Sequence, residues 1–247
     1  MSSRAPHAVL DLDSRCQKAM KIYRLLGLDD RPNSTRLLEV GCGGGGISHW
    51  FATQAGHCFD VEAVDVVDLR VVREGYRFTL VEGVALPFPD SSFDVVLSNH
   101  VIEHVGDDQS QAHHLSEIRR VLRDNGIAYL AVPNRWMLVE PHYSLAFLSW
   151  WPEGWRSLWL RIWRRGDEYD CRPLSRKDLE KRLVLAGFTF KQLHFEALKA
   201  TFEIEDPRAN IWRILRHTPA WLHQCLRGVY PTLIYALRNN STGAGHR

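Results

Sequence analysis

A glutamate stands two residues ahead of a glycine run in Leu37-Leu38-Glu39-Val40-Gly41-Cys42-Gly43-Gly44-Gly45-Gly46. Glycines 41, 43 and 46 satisfy GxGxxG after an apolar run and before a helical pattern, a spacing that brings backbone close to a nucleotide-like ligand. No Lys-Ser or Lys-Thr follows, so phosphate binding by the Walker route is excluded. A carboxylate beside such a turn repels a pyrophosphate. It pairs instead with a cationic ligand, such as an amino-acid ammonium or, through water, a sulfonium. Asp65 ends the next apolar run, nineteen residues after Gly46, where a carboxylate can accept from both hydroxyls of a ribose. Glu82 ends a third run and can accept from an adenine amino group. Three acids at successive strand ends, with no arginine to meet a phosphate, describe an adenosine bearing a positive tail.

A second constellation follows in Asn99-His100-Val101-Ile102-Glu103-His104-Val105. Helical spacing puts His100 on one face with Glu103 and His104. Three roles fit it: packing beneath a bound ligand, general-base work by His100 or His104, or ligation of a divalent metal. His113-His114 in QSQAHHLSEI reads as helix surface.

These residues need elements to hold them. Residues 37–40, 61–67, 78–81, 93–98 and 127–132 read as short apolar strands; residues 47–54 and 108–123 read as helices, the second closed by Asn125-Gly126. Strands apolar throughout and joined by helical crossovers imply a parallel sheet covered on both faces, and such sheets bind ligands at the carboxyl ends of their strands. Each acid above falls at such an end. Residues 13–26 read as a helix flanking the ligand entrance. Residues 175–186 read as a helix with Ser175 at its start and Gly187 at its end, followed by strands at 188–193 and 232–237, the last antiparallel.

Composition agrees with an ordinary soluble globular protein: 45% of residues are hydrophobic and 24% charged. A net charge of +2 gives no broad basic track, so nucleic acid is not expected as a partner. Five scattered cysteines without a CxxC pair indicate neither a disulfide framework nor a zinc site, and a reducing cytoplasm fits best. The N-terminus carries charges where a signal peptide needs its apolar core, and no uninterrupted apolar stretch is long enough to span a bilayer.

At LLEVGCGGG, AVDVV and EGVALPFPDSSFDVVLSNHVIEHV the sequence resembles the class I S-adenosylmethionine-dependent methyltransferases, of the small-molecule type that includes the ubiquinone-biosynthesis enzymes. The resemblance covers residues 36–134 and, more weakly, 174–193. It implies an α/β fold, a Rossmann-like doubly wound sheet, mostly parallel with an antiparallel last strand, and S-adenosyl-L-methionine as cofactor. Carried over by position, Glu39 and the backbone of Gly41 and Gly43 hold the methionine part, Asp65 binds the ribose, Val66 packs on adenine and Glu82 meets its amino group. Gly45, Gly83 and Asn99 complete the cofactor contacts. Where the family often has Gly-Asp-Ala before LPF, this chain has Glu82-Gly83. Oxygen is the expected methyl acceptor.

The expected organisation is one domain over 1–247: a helical cap at 1–30, a cofactor-binding core at 31–134, a Trp-rich lid or insertion at 135–172, and a remainder at 173–247 carrying a helical insertion at 203–228. Acceptor recognition falls in the lid. Asn134, Arg135, Glu140, His142 and Tyr143 sit just past a strand end, and some bacterial methyltransferases have a similar PNR followed by EPH. Five of the nine tryptophans lie between Trp150 and Trp163. If residues 153–165 are helical, Trp155, Leu158, Trp159, Ile162 and Trp163 share one face and Arg161 and Arg164 oppose it. That helix would pack over the sheet, cover a small-molecule or lipid-like acceptor, or make peripheral membrane contact, which leaves a cytoplasmic protein with or without membrane association. Two rival functions remain: a nicotinamide-dependent oxidoreductase, which leaves Glu39 and LPFPDSSFD unexplained, and a non-catalytic adenosine-pocket scaffold with the tryptophans as its interface.

Overall fold

The computed structural model describes residues 10–32, 34–55, 59–140, 143–205, 228 and 230–240. The elements run α1 (Leu12–Leu26), β1 (Arg36–Val40), α2 (Gly46–Thr53), β2 (Asp60–Asp65), β3 (Arg77–Leu80), β4 (Phe93–Asn99), α3 (Asp108–Val121), β5 (Leu122–Pro133), β6 (Val139–Glu140), β7 (Leu145–Ala146), α4 (Glu153–Ile162), α5 (Arg176–Leu185), β8 (Phe188–Gln192), α6 (His194–Ile204) and β9 (Thr232–Asn239). Seven strands form one sheet in the order β3-β2-β1-β4-β5-β9-β8. The β1, β2, β3, β4 and β5 neighbours are parallel, and β9 inserts antiparallel to both β5 and β8. β6 and β7 make a separate two-stranded ladder.

The strands are apolar throughout because both faces are covered, and the pleat divides their residues between two cores. Leu38, Val96 and Leu130 face α3 and α5 with Leu115, Ile118, Leu179 and Leu183. Their neighbours Leu37, Val95, Leu97 and Tyr129 face α1, α2 and α6 with Ile22, Phe51 and Ala197. The strand order reverses at β1 and β4, so their carboxyl ends open a crevice there. No helix among the described residues is long and apolar enough to cross a membrane.

Three boundaries differ from the sequence pattern. The second strand stops at Asp65, not Val67, because the Asp65 carboxylate turns the chain by accepting from Val66 N at 2.7 Å. α3 ends at Val121: Leu122 is extended and pairs with Phe93, placing Asn125-Gly126 inside β5. α6 has no counterpart among the expected elements; it packs on α1, where the buried Lys21 ammonium binds Thr201 Oγ1 at 2.8 Å and the Glu205 carboxylate. Most of the helical insertion expected at 203–228 lies outside the described residues.

Candidate active site

β1 carries Glu39 into the crevice, where only 2% of it is exposed. Ser48 Oγ, in the first turn of α2, donates to its carboxylate. Burial pushes Glu39 up to about 8, against the opposing effects of Ser48 and of the Arg15 charge. The glycine loop is tied to the end of β2: Gly41 N and Cys42 N donate to Val64 O at 2.8 and 3.2 Å, and Gly43 N donates to Asp65 Oδ2 at 2.8 Å. Asp65 therefore braces the loop and presents a carboxylate beside it. Gly45 sits at φ 80°, and a Cβ there would stand 2.6 Å from Val72 O and closer still to Tyr76 Oη. At Gly41, φ 75°, a Cβ would meet Val101 Cγ2 at 2.5 Å. The loop is a cradle that side chains would fill.

The register Asp65↔Leu80 sets Val66 and Glu82 at neighbouring strand ends. Val66 is 47% exposed, and Glu82 is also exposed. A cleft of about 280 Å³ lined by Leu80, Val81, Glu82, Leu86 and Pro87 lies there. The LPFPDSSFD turn below it is anchored by Arg120, which donates to Leu86 O, Phe88 O, Asp90 and Glu117. Two buried polar atoms near the loop lack hydrogen-bond partners: Arg15 Nε and Asn99 Oδ1. A free donor, a free acceptor, a buried acid and a glycine cradle together fit an amino-acid-bearing nucleoside.

Beyond β4 the chain turns at His100, whose φ of 59° is left-handed and whose N donates to Ala131 O at 2.9 Å. His100 Nδ1 lies 3.3 Å from Glu103 Oε1, and His104 Nε2 lies 4.0 Å from the same oxygen. Glu103 is fully buried and neither carboxylate oxygen has a partner in hydrogen-bond geometry; burial pushes its carboxyl up, but the neighbouring His100 and His104 outweigh this and hold it below the ordinary range. Arg172 N donates to Glu103 O at 2.8 Å and so returns the lid to this loop. Cys171 Sγ stands 3.8 Å from His104 Nδ1 and 3.5 Å from Asp170 Oδ1. His104, Asp170 and Cys171 each place one potential metal-ligand atom within 4.8 Å of the others.

His114 is not on the surface as expected. It is 2% exposed and bonds Ser98 Oγ at 3.0 Å, because the α3 face carrying it packs on β4; burial holds it down at about 4.

Just past β5, Asn134 corrects the expectation of an acceptor contact. It is wholly buried, its amide nitrogen donates to Gly228 O and Tyr230 O at 2.8 Å, and its oxygen accepts from Trp136 N. Its polar atoms are occupied by structure. Arg135 keeps its guanidinium 5.5 Å from the Trp136 ring. Tyr143 Oη lies 3.1 Å from Asp170 Oδ1, beside the His104 cluster. His142 lies outside the described residues. α4 contradicts the packed-core alternative: its apolar stripe points to solvent, with Trp155, Ile162 and Trp163 at 59%, 61% and 56% exposure, while Arg156 and Leu160 face inward at 5% and 0%. On the inward face Leu160 packs with Leu145 and Leu148, and the Arg156 guanidinium lies 5.5 Å from the Tyr169 ring centroid.

Three site residues have no local sequence signal: Arg15, Arg156 and Cys171. Arg15 is brought against the glycine loop by α1, Cys171 beside His104 by the returning chain, and Arg156 beside Tyr169 by α4.

A family model described as a methyltransferase domain matches residues 38–130. The 2-methyl-6-phytyl-1,4-hydroquinone methyltransferase of Synechocystis sp. is 35% identical over 113 residues, 42% of this chain and 34% of that protein. The ubiquinone biosynthesis O-methyltransferase of Parvibaculum lavamentivorans is 29% identical over 207 residues, 78% of this chain and 72% of that protein. Against the Synechocystis protein and three mycobacterial relatives the chain spans 34–39% of the relative's length. Among solved structures, the 1,6-didemethyltoxoflavin-N1-methyltransferase of Burkholderia thailandensis, with bound 1,6-didemethyltoxoflavin and S-adenosylhomocysteine, superposes with a TM-score of 0.52 at 18% identity, covering 93% of this chain and 80% of that one. That likeness is one of fold.

Proposed function

The chain belongs to the class I S-adenosylmethionine-dependent methyltransferases, with S-adenosyl-L-methionine as cofactor, and from that premise we propose that it methylates an oxygen of a small, lipid-like acceptor. The observation that carries the cofactor part of this reading is the crevice at Glu39, where a buried acid and a glycine cradle stand at a strand end and Arg15 Nε and Asn99 Oδ1 are buried without a hydrogen-bond partner. When bound, the cofactor supplies a methyl carbon already activated by positive sulfur, so the protein's work is alignment and removal of one proton. Glu39 and the backbone of Gly41, Gly43 and Gly45 hold the methionine part, and Arg15 meets its carboxylate. Asp65 takes the ribose, Val66, Glu82 and Gly83 the adenine, and Asn99 the remaining donor.

At the acceptor, Glu103 stands 3.3 Å from His100 Nδ1, close enough to orient the ring once the imidazole is charged, and Nε2 takes the acceptor's hydroxyl proton. The ionised carboxylate stabilises the imidazolium that forms, the way a buried acid orients a catalytic histidine. His104, on the other side of Glu103, positions that acid and borders the acceptor through Cys171 and Asp170. Arg135 and Tyr143 line the acceptor side.

Two observations favour a lipid-like acceptor. The solvent-facing stripe of α4 joins Trp136, Phe147, Trp150 and Trp151, exposed by 38–48%, into an apolar patch flanked by the exposed Arg161, Arg164 and Arg165. A tryptophan surface with an arginine rim suits the headgroup region of a bilayer, and two relatives are named for methylating a phytyl hydroquinone and an intermediate of ubiquinone biosynthesis. Calorimetric titration with S-adenosylhomocysteine and with NAD tests the cofactor assignment: micromolar binding of the former alone is expected, and binding of NAD alone would reverse it. His100→Gln should keep that affinity and lower kcat by about 10²- to 10⁴-fold; unchanged turnover would remove His100 as the base.

A further inference from the structure

Arg156 is a buried arginine with no ion-pair partner among the described residues. It is 5% exposed, and its one hydrogen bond is from Nε to Trp151 O at 2.9 Å. Arginines are almost never buried this far unless paired, because a lone guanidinium out of water is strongly destabilising. The acid one turn earlier on α4, Glu153, is taken by Arg172 Nη2 at 2.8 Å. Two more donors around Arg156 are also unspent: Arg135 Nε and Tyr169 Oη are buried without a hydrogen-bond partner. The Tyr169 ring centroid lies 5.5 Å from Arg156 Cζ. Burial lowers the Arg156 pKa and the like charges of Arg135 and Arg172 lower it further, against the opposing effects of Tyr169 and Glu153; no carboxylate among the described residues forms an ion pair with the guanidinium.

The position of this group gives it a use. Arg135 follows the carboxyl end of β5, and the strand of chain from Tyr169 to Arg172 returns to Glu103 and His104. The unpaired cations thus border the place assigned above to the acceptor. We propose that Arg156, with Arg135 and Tyr169 Oη, forms an oxyanion subsite of the acceptor pocket, so that the acceptor carries a carboxylate or phosphate besides the hydroxyl that is methylated. Planar guanidinium forks bind either oxyanion through paired hydrogen bonds, and a phenol adds a third donor. The subsite rests on the methyltransferase reading and narrows its acceptor to an anionic, amphipathic molecule.

The test is calorimetry on the full chain saturated with S-adenosylhomocysteine, titrated with benzoate, phenyl phosphate and the uncharged benzamide. At least one anion is expected to bind tenfold or more tighter than benzamide, and whichever anion prevails identifies the group as carboxylate or phosphate. Arg156→Gln should abolish the preference while leaving S-adenosylhomocysteine affinity unchanged, and its ligand-free Tm should equal or exceed the parent's because an unpaired buried charge is gone. Arg135→Gln, at a partly exposed position, should weaken anion binding severalfold and provides the same readout should Arg156→Gln fold poorly. Equal binding of all three probes, or a preference that survives both substitutions, overturns the subsite. Failure of S-adenosylhomocysteine itself to bind would instead overturn the cofactor reading on which the subsite stands.

Discussion

Replacing Glu39 by glutamine should stabilise the ligand-free protein while removing its affinity for cofactor. Glu39 is raised from the ordinary 4.5 to about 8 by burial. Below 4.5 the folded and unfolded chains both hold the proton and pH has no effect through this group. Between 4.5 and 8 the unfolded chain releases the proton while the folded chain keeps it, so stability falls as pH rises, and above 8 the loss is complete. At about 1.4 kcal/mol per unit the whole loss is about 5 kcal/mol, of which about 4 has accrued by pH 7.5. These are ceilings, since water entry and local relaxation soften the cost of a buried charge. Glutamine retains an oxygen to accept from Ser48 Oγ and cannot ionise. With about 2–4 °C per kcal/mol for a chain of this size, E39Q should melt at least about 4 °C above the parent at pH 8, and the gap should shrink to about 2 °C at pH 5. The same substitution should weaken S-adenosylhomocysteine at least tenfold, because the ligand's ammonium loses its counter-charge. In the parent, that ammonium draws Glu39 back toward ionisation, so binding near pH 7 should release up to one proton, seen as a heat that differs between phosphate and Tris buffers. A melting gap that is independent of pH, or a glutamine variant less stable than the parent at pH 8, would refute the account of Glu39.

Gly45→Ala forces a Cβ to within 2.6 Å of Val72 O at a left-handed φ, so S-adenosylhomocysteine affinity should fall at least tenfold in calorimetry with a loss of about 1–3 kcal/mol in unfolding free energy. His114 is held down at about 4; since its folded value lies below the ordinary 6.5, stability should be full above 6.5 and fall by about 3 kcal/mol as pH drops toward 4. His114→Gln, which cannot take up that proton, should flatten this acid limb in urea titrations at pH 4 to 7. Trp155→Ser with Trp163→Ser removes two side chains that are 59% and 56% exposed; co-sedimentation with anionic phospholipid vesicles should drop at least tenfold while Tm stays within about 2 °C.

Much of the crevice was legible because its signals are local. The glycines, Glu39 and Asp65 lie within one strand-turn-helix-strand unit, and a parallel sheet places the ends of such units together. His100, Glu103 and His104 were legible as a group for the same reason, although the left-handed turn at His100 aims them in a way helical spacing did not anticipate. Local patterns misled where long-range contacts overrule them. Which way the amphipathic stripe of α4 faces was left open by its pattern among a core, an acceptor and a membrane; it faces solvent because the opposite face, with Leu160 against Leu145 and Leu148, is the one that packs inward. Asn134 looked available past a strand end, but the chain before β9 takes up its amide from nearly a hundred residues away.

By itself, then, the sequence determined the alternation of buried strands and crossovers, the acids at the strand ends and the loop that carries the histidines, since each is a pattern spanning a few tens of residues at most. Only the tertiary structure decided which distant side chains gather around these groups: Arg15 against the glycine loop, Cys171 and Asp170 beside His104, and Arg156 beside Tyr169. A pairing between groups so far apart along the chain depends on how whole elements pack, and neither the period of a helix nor the spacing of a motif carries that information.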